Sequence, residues 1–322
     1  MNTSNLDANQ NNNTHYSCIN SKNNSIDNNA LEDLNRVELM LEFNPNELLK
    51  FNIEILDKLI RPINEELIVI TVIGSSNSNQ IDLANSIIKL NKYNKANDDY
   101  NSNTDNINNF NNSKFTSDKP GLWVYINGIS NNNKNNRFIV INCQGLEHSE
   151  FKYTDKLYFM LHSLSSVLIF NTNRPTLTDL SIMSNMPSCI TGTSNPEDLI
   201  LEMSPKIIYV LNKYNNEEEN SSYYSHLPII ADDSNALLDY LEKEDELRDY
   251  FTSFYKERKA FIISNVSNNK TEVYNSIKKI ILTNSFGKTY KGVRNDGETL
   301  RGLLIEFVNN INRNIAFNIN KM

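Results

Sequence analysis

The run Leu67-Ile68-Val69-Ile70-Thr71-Val72-Ile73 closes on Gly74, and the small polar segment after it is where the chain most invites chemistry. A phosphate-cradling loop at the end of such a strand reads G-x-x-x-x-G-K-[ST]. Its glycines let backbone N–H groups wrap the phosphates, its Lys neutralises their charge, and its hydroxyl ligates magnesium. Here the segment is Gly74-Ser75-Ser76-Asn77-Ser78-Asn79-Gln80-Ile81. Only the first glycine fits: Asn79 stands at the second glycine, Gln80 at the lysine and Ile81 at the hydroxyl residue. Taken alone, this is a plain strand-to-helix turn. Asn79 tolerates positive φ better than most residues, and backbone N–H groups around Ile81 attract an anion weakly.

The other chemistry-bearing residues form no constellation. Glu147 and His148 read as a solvated loop face, His162 as a packed or capping histidine on a short apolar helix, and His15 and His226 stand apart. Cys18, Cys143 and Cys189 are odd in number and far apart, which argues against a zinc site and for a reducing compartment. Cys143 has no histidine partner and reads as a strand-end residue near the sheet edge. Asp232, Asp233, Glu242, Glu244 and Glu246 read as a solvated acidic stretch, and Asp249 after Arg248 falls within a helical pattern.

The elements that must position the Gly74 segment alternate between strand and helix. Leu39, Leu41 and Phe43 alternate as a short strand does, and the apolar spacing from Leu48 to Ile60 predicts a helix ending before Pro62. The run 67–73 is continuously apolar, as a strand buried on both faces is, and a helix is expected over 81–90. Strands are expected over 121–126 and 137–142 around an Asn-rich hairpin, then at 167–171, 206–211 and 261–264. Helices are expected at 157–162, 235–254 and 298–311. This alternation predicts an α/β fold, a mostly parallel central sheet with helices on both faces, in one domain.

Composition narrows the classes. With 322 residues and 37.0 kDa the chain can bury a full core. Roughly one residue in six is Asn, clustered at 1–29, 91–112, 127–136 and 215–220. The expected organisation is a disordered tail over 1–35, a domain over 36–317 with Asn-rich loop inserts at about 91–118, 127–136 and 215–222, and a tail over 318–322. A net charge of −8 without a basic run weighs against nucleic acid as a partner. No apolar run approaches the ~20 residues that span a bilayer, and the N-terminus lacks a signal-peptide core. A cytoplasmic protein without a transmembrane segment is therefore expected.

Six ordered motifs resemble the GTPase domain of guanylate-binding proteins and atlastins, within the dynamin superfamily of large GTPases, over about 37–317. Leu83 and Asn85 match the last fixed positions of that family's loop G-x-Y-R-x-G-K-S-x-L-x-N. Lys119-Pro120-Gly121-Leu122-Trp123 matches its switch segment T-x-G-I-W, and Asn142-Cys143-Gln144-Gly145 its D-T-E-G. Leu164-Ser165-Ser166-Val167-Leu168-Ile169-Phe170-Asn171 matches L-S-S-x-x-I-Y-N. The stretch 254–261 resembles the segment before its last strand, and 292–297 its closing element.

That resemblance implies a P-loop NTPase-like fold and a nucleotide site built from Gly74, Ser75, Ser76, Asn77, Ser78, Asn79, Gln80, Ile81, Gly145, Asn212 and Lys213. It also implies degeneracy where the chemistry lies. The family's catalytic arginine falls at Asn77, its lysine at Gln80, its switch threonine at Lys119 and its magnesium-reaching aspartate at Asn142. The magnesium positions are thus Ile81, Lys119 and Asn142. The guanine-reading Arg-Asp pair falls at Asn212 and Lys213, and the register N-K-x-D ends in Asn215. The implied function is a pseudoenzyme with weak or absent GTP hydrolysis, acting through protein contacts. Such contacts would include a homodimer, or a heterodimer with a related GTPase, through the nucleotide-site face. The alternatives are an active GTPase that binds GTP, GDP and Mg²⁺ with charge from Lys119 or Lys213, and a nucleotide-free α/β scaffold.

Overall fold

The computed structural model describes residues 36–44, 47–74, 79–89, 114–115, 119–130, 136–146, 153–173, 183–212, 234–243, 252–264, 268–284, 287–290 and 292–318. Its centre is an eight-stranded sheet in the order β2-β1-β4-β5-β3-β6-β8-β9. The strands are β1 (Val37–Glu42), β2 (Lys50–Phe51), β3 (Glu66–Gly74), β4 (Gly121–Ser130), β5 (Asn136–Gln144), β6 (Val167–Thr172), β8 (Lys206–Asn212) and β9 (Arg258–Ile263). The short strand β7 (Ile190–Thr191) pairs outside this sheet with β12 (Phe317–Asn318), and β10 (Thr289–Tyr290) with β11 (Val293–Arg294). From β5 through β3, β6 and β8 to β9 every pairing is parallel, whereas β4, β1 and β2 add on antiparallel.

The central strand shows why the sheet is covered twice. Leu67, Val69 and Ile73 of β3 enter one apolar cluster, and Ile68, Ile70 and Val72 the other. Successive side chains point to opposite faces, so an unbroken apolar run needs a cover on each. One cover is α2 (Gln80–Ile88) with α6 (Lys270–Asn284), through Leu83, Ile87, Val273 and Ile277. On the other face lie α3 (Thr154–Leu164), α5 (Ser234–Lys243) and α7 (Gly297–Asn312), through residues such as Leu161, Leu241 and Phe307. Phe159, Phe307 and Phe317 meet with ring centroids 4.6–6.1 Å apart, which ties α7 and β12 to α3.

Two local expectations are corrected. The apolar spacing from Leu48 does not begin a helix: Leu48 is 62 % exposed and Lys50–Phe51 form a strand. Helix starts at α1 (Ile53–Ile55) and runs on as a π-helical turn, Leu56–Ile60. In β1, a register shift between Leu39 and Leu41 breaks the alternation, so Met40 and Leu41 are both fully buried. The sequence reading also passed over α6 and the helix α4 (Pro196–Glu202), which opens with Pro where its missing N–H costs nothing. The expected helix over 235–254 is described as Ser234–Lys243, and residues 244–251 lie outside the described residues.

The Ser-Ser motif has a structural explanation. Ser165 ends α3, its hydroxyl donating to the Leu161 carbonyl at 2.5 Å and meeting the Thr71 hydroxyl at 2.5 Å. Ser166 then bridges three strands, donating to Val69 at 2.8 Å and accepting from Lys206 at 3.1 Å. The closing motif caps α7: Asp296 accepts from the Thr299 N–H at 2.9 Å through its side chain, as an N-cap residue does.

Candidate functional site

From β3 the chain leads to β4 and β5 on one side and then crosses to β6 on the other. Ligands in open α/β sheets sit at such a switch point, outside the carboxyl ends of the strands. Here each parallel strand closes its apolar run with a small or polar residue. Gly74 ends β3 beside Asn171 of β6, Asn212 ends β8, and Ser264 follows β9. Asn142, Asn171 and Thr172 are fully buried, and Asn212 and Ser264 are nearly so. A buried polar group is costly unless hydrogen-bonded, so this row is a committed feature of one end of the sheet. Thr172 and Ser264 were not singled out from sequence. The available signal was the lone uncharged polar residue that closes an apolar run.

At the centre of the row, two of the sequence-identified positions meet. Gln80 opens α2 with its side chain turned inward and only 7 % of the residue exposed. Its Nε2 donates to Asn142 Oδ1 at 2.7 Å, to the Cys143 carbonyl at 2.6 Å and to the Val72 carbonyl at 3.0 Å. An amide carries two hydrogens for these three acceptors, so one is shared. Gln80 therefore cross-links the ends of β3 and β5 to the start of α2. The turn before it depends on Asn79, which sits in the left-handed region at φ 54 and ψ 33 as the N-cap of α2. Asn and Gly reach that region at least cost.

The remaining candidates surround this pair. Ile81 is half-buried against the α2–α6 cluster. Gly145, two residues beyond Cys143, has φ 78, where a glycine is needed. Cys143 is fully buried in β5 between β4 and β3, so it lies at a strand end but in the sheet interior, not near the edge. Lys119 is exposed and pairs with Glu42 at 3.6 Å, while its carbonyl accepts from Trp123 Nε1 at 3.0 Å. Asn85 clasps Phe115 from both sides, accepting from its N–H at 2.8 Å and donating to its carbonyl at 3.2 Å. Ser75, Ser76, Asn77, Ser78, Lys213, Glu147 and His148 lie outside the described residues.

The electrostatics of the crevice follow from these identities. Gln80 and Asn142 are neutral amides, and the Asn142 oxygen is already occupied by Gln80. The charge nearest the first turn of α2 is the Asp82 carboxylate, held by Lys270 at 2.9 Å. An acid in the first turn satisfies the helix dipole from within, and so competes with any anionic ligand there. Magnesium prefers carboxylate and phosphate oxygens in a near-octahedral shell, and the described residues of the crevice do not fit it. Among the described residues no group of three or more His, Cys, Asp or Glu could hold a metal ion. None of their helices is long and apolar enough to cross a membrane.

Fold and site together define an α/β protein with a mostly parallel sheet and a row of buried polar residues at its switch point, where Gln80 and Asn142 form a neutral amide pair. Compared with known proteins, the chain matches no protein-family profile and no curated protein at a significant level.

Proposed function

We propose that this chain is a P-loop NTPase-like protein of the guanylate-binding protein and atlastin kind with weak or absent GTP hydrolysis. It acts through protein–protein contacts made by the crevice face, with a second copy of itself or with a related GTPase. The hydrogen bond between Gln80 and Asn142 carries this reading. The sequence resemblance puts a lysine and an aspartate at those positions, and a neutral amide pair keeps their mutual contact while removing both charges. Phosphoryl transfer rests almost wholly on positioning and on stabilisation of developing charge by Lys, Arg and Mg²⁺. Each such donor typically contributes about 3–4 kcal/mol to the rate, so the loss of several leaves little catalysis. The hydrogen bonds of Gln80 also support a structural role, because its amide nitrogen is engaged by three protein oxygens.

Single-turnover hydrolysis of labelled GTP by the purified chain with Mg²⁺ tests this. The expected rate is that of the uncatalysed reaction. Turnover that disappears on Gln80→Ala or Asn142→Ala would overturn the proposal.

A further inference from the structure

At the opposite end of the parallel strands from the crevice, the chain turns basic. Lys206 opens β8, Arg258 opens β9, and Lys256 and Lys259 stand beside them. With Glu257, and with Leu238 and Ile280 as apolar walls, they line a cleft of about 490 Å³. Leu238 comes from α5 and Ile280 from α6, which cover opposite faces of the sheet. The cleft therefore lies where the sheet ends between its two covers. Its innermost strand, β9, pairs with β8 and, among the described residues, with no strand on its other side.

Two of the four cations are held by the protein. Lys206 pairs with Glu257 at 2.7 Å, and the Arg258 guanidinium donates to the Tyr255 carbonyl. Lys256 and Lys259 are exposed and have no ion-pair partner among the described residues. Four cations and one acid leave the lining at +3 on a chain whose net charge is −8. Lysines at a sheet edge repel basic strands and deter aggregation. For an acidic strand the same lysines attract.

We propose that this cleft docks an extended acidic segment of a partner protein, laid against the start of β9 on the side where no described strand pairs with it. Leu238 and Ile280 would contact its apolar side chains, and Lys256 and Lys259 its carboxylates. Edge-strand addition takes affinity from the main chain and specificity from alternate side chains, which suits a charged rim over two apolar walls. A nucleic acid is disfavoured because the described lining of the cleft offers no aromatic side chain on which bases could stack.

The test is fluorescence anisotropy on the full chain with a labelled peptide of alternating Glu and Val, about ten residues long, roughly a strand. The same peptide with Lys for Glu and a labelled single-stranded oligonucleotide serve as comparisons. The expected result is saturable binding of the Glu peptide, weakened about tenfold or more by the double variant Lys256→Glu/Lys259→Glu and by added salt. Lys50→Glu, on the remote strand β2, should leave binding unchanged. Four outcomes would each overturn the proposal: no saturation up to about 1 mM peptide, equal binding of the Lys peptide, full binding by the double variant, or tighter binding of the oligonucleotide.

Discussion

At the residue scale, the crevice is built from side chains that do structural work with amide chemistry. Asn79 holds a left-handed backbone at the N-terminus of α2, where Gly fits without cost and a Cβ without a compensating polar group does not. Asn79→Ala should therefore destabilise the protein by about 1 kcal/mol, while Asn79→Gly stays within a few tenths of the parent. Urea titration of the three proteins distinguishes them, and equal midpoints for Ala and Gly would mean the turn relaxes. Below α3 sits a second polar knot. His162 Nε2 meets the Ile200 carbonyl at 3.1 Å, which requires the Nε2–H tautomer, and its ring packs on Tyr255 with centroids 5.2 Å apart. Tyr255 and Tyr158 share a hydrogen bond at 2.7 Å. Burial, reinforced by the charge of Lys288, lowers the His162 pKa to about 3. An unfolded histidine protonates near pH 6.5. Below that pH the unfolded chain binds a proton that the folded chain refuses, so stability falls as pH drops from about 6.5 towards 3. His162→Gln keeps a donor for Ile200 and should flatten this part of the profile. A pH dependence of unfolding identical to the parent's would remove His162 from the account.

At the scale of elements, the C-terminal segment is fastened to the π-helical turn and to α3 by close approach and by hydrogen bonds. The Gly297 N–H donates to Ile63 at 2.8 Å, and a Cβ built on Gly297 would lie 1.9 Å from the Ile60 carbonyl oxygen. Backbone occupies that space, so Gly297→Ala forces α7 away from the π-helical turn. The expected cost is about 2 kcal/mol or more, read as a lower thermal midpoint; an unchanged midpoint would contradict this packing. Lys288 makes a second fastening, donating to His162 at 3.0 Å, to Ser163 at 2.8 Å and to Met203. Two of these acceptors are last-turn carbonyls of α3, which a cation complements. No carboxylate faces it among those partners, and burial pushes its pKa well below the usual lysine range. The apolar period over 298–311 made α7 legible in the sequence, and the unbroken run 67–73 did the same for β3. Residues 48–52 misled because apolar spacing cannot distinguish a helix from a short strand followed by a turn when Leu48 faces solvent. Lys288 was invisible for a different reason: its partners are carbonyls about 85 and 125–126 residues away, and carbonyls carry no sequence signal.

At the scale of the whole molecule, one end of the sheet carries, among the described residues, a row of buried uncharged polar side chains and the other a basic cleft, on a chain of net charge −8. From sequence the candidate site was expected at Gly74, where the continuously apolar run 67–73 ends. The contact between Gln80 and Asn142, 62 residues apart, was not expected. Each was assigned to a lost charge from sequence, and only the fold puts one against the other. The central proposal is that this end of the sheet does not bind a magnesium nucleotide. Its most direct test is the thermal midpoint of the purified chain with and without GTP, GDP and Mg²⁺ at millimolar concentration. A ligand at about 100 times its Kd adds ~2.7 kcal/mol, which for a domain of this size is a shift of a few degrees. The account predicts no shift that is both specific to guanine nucleotides and dependent on Mg²⁺. A shift with both properties would contradict it.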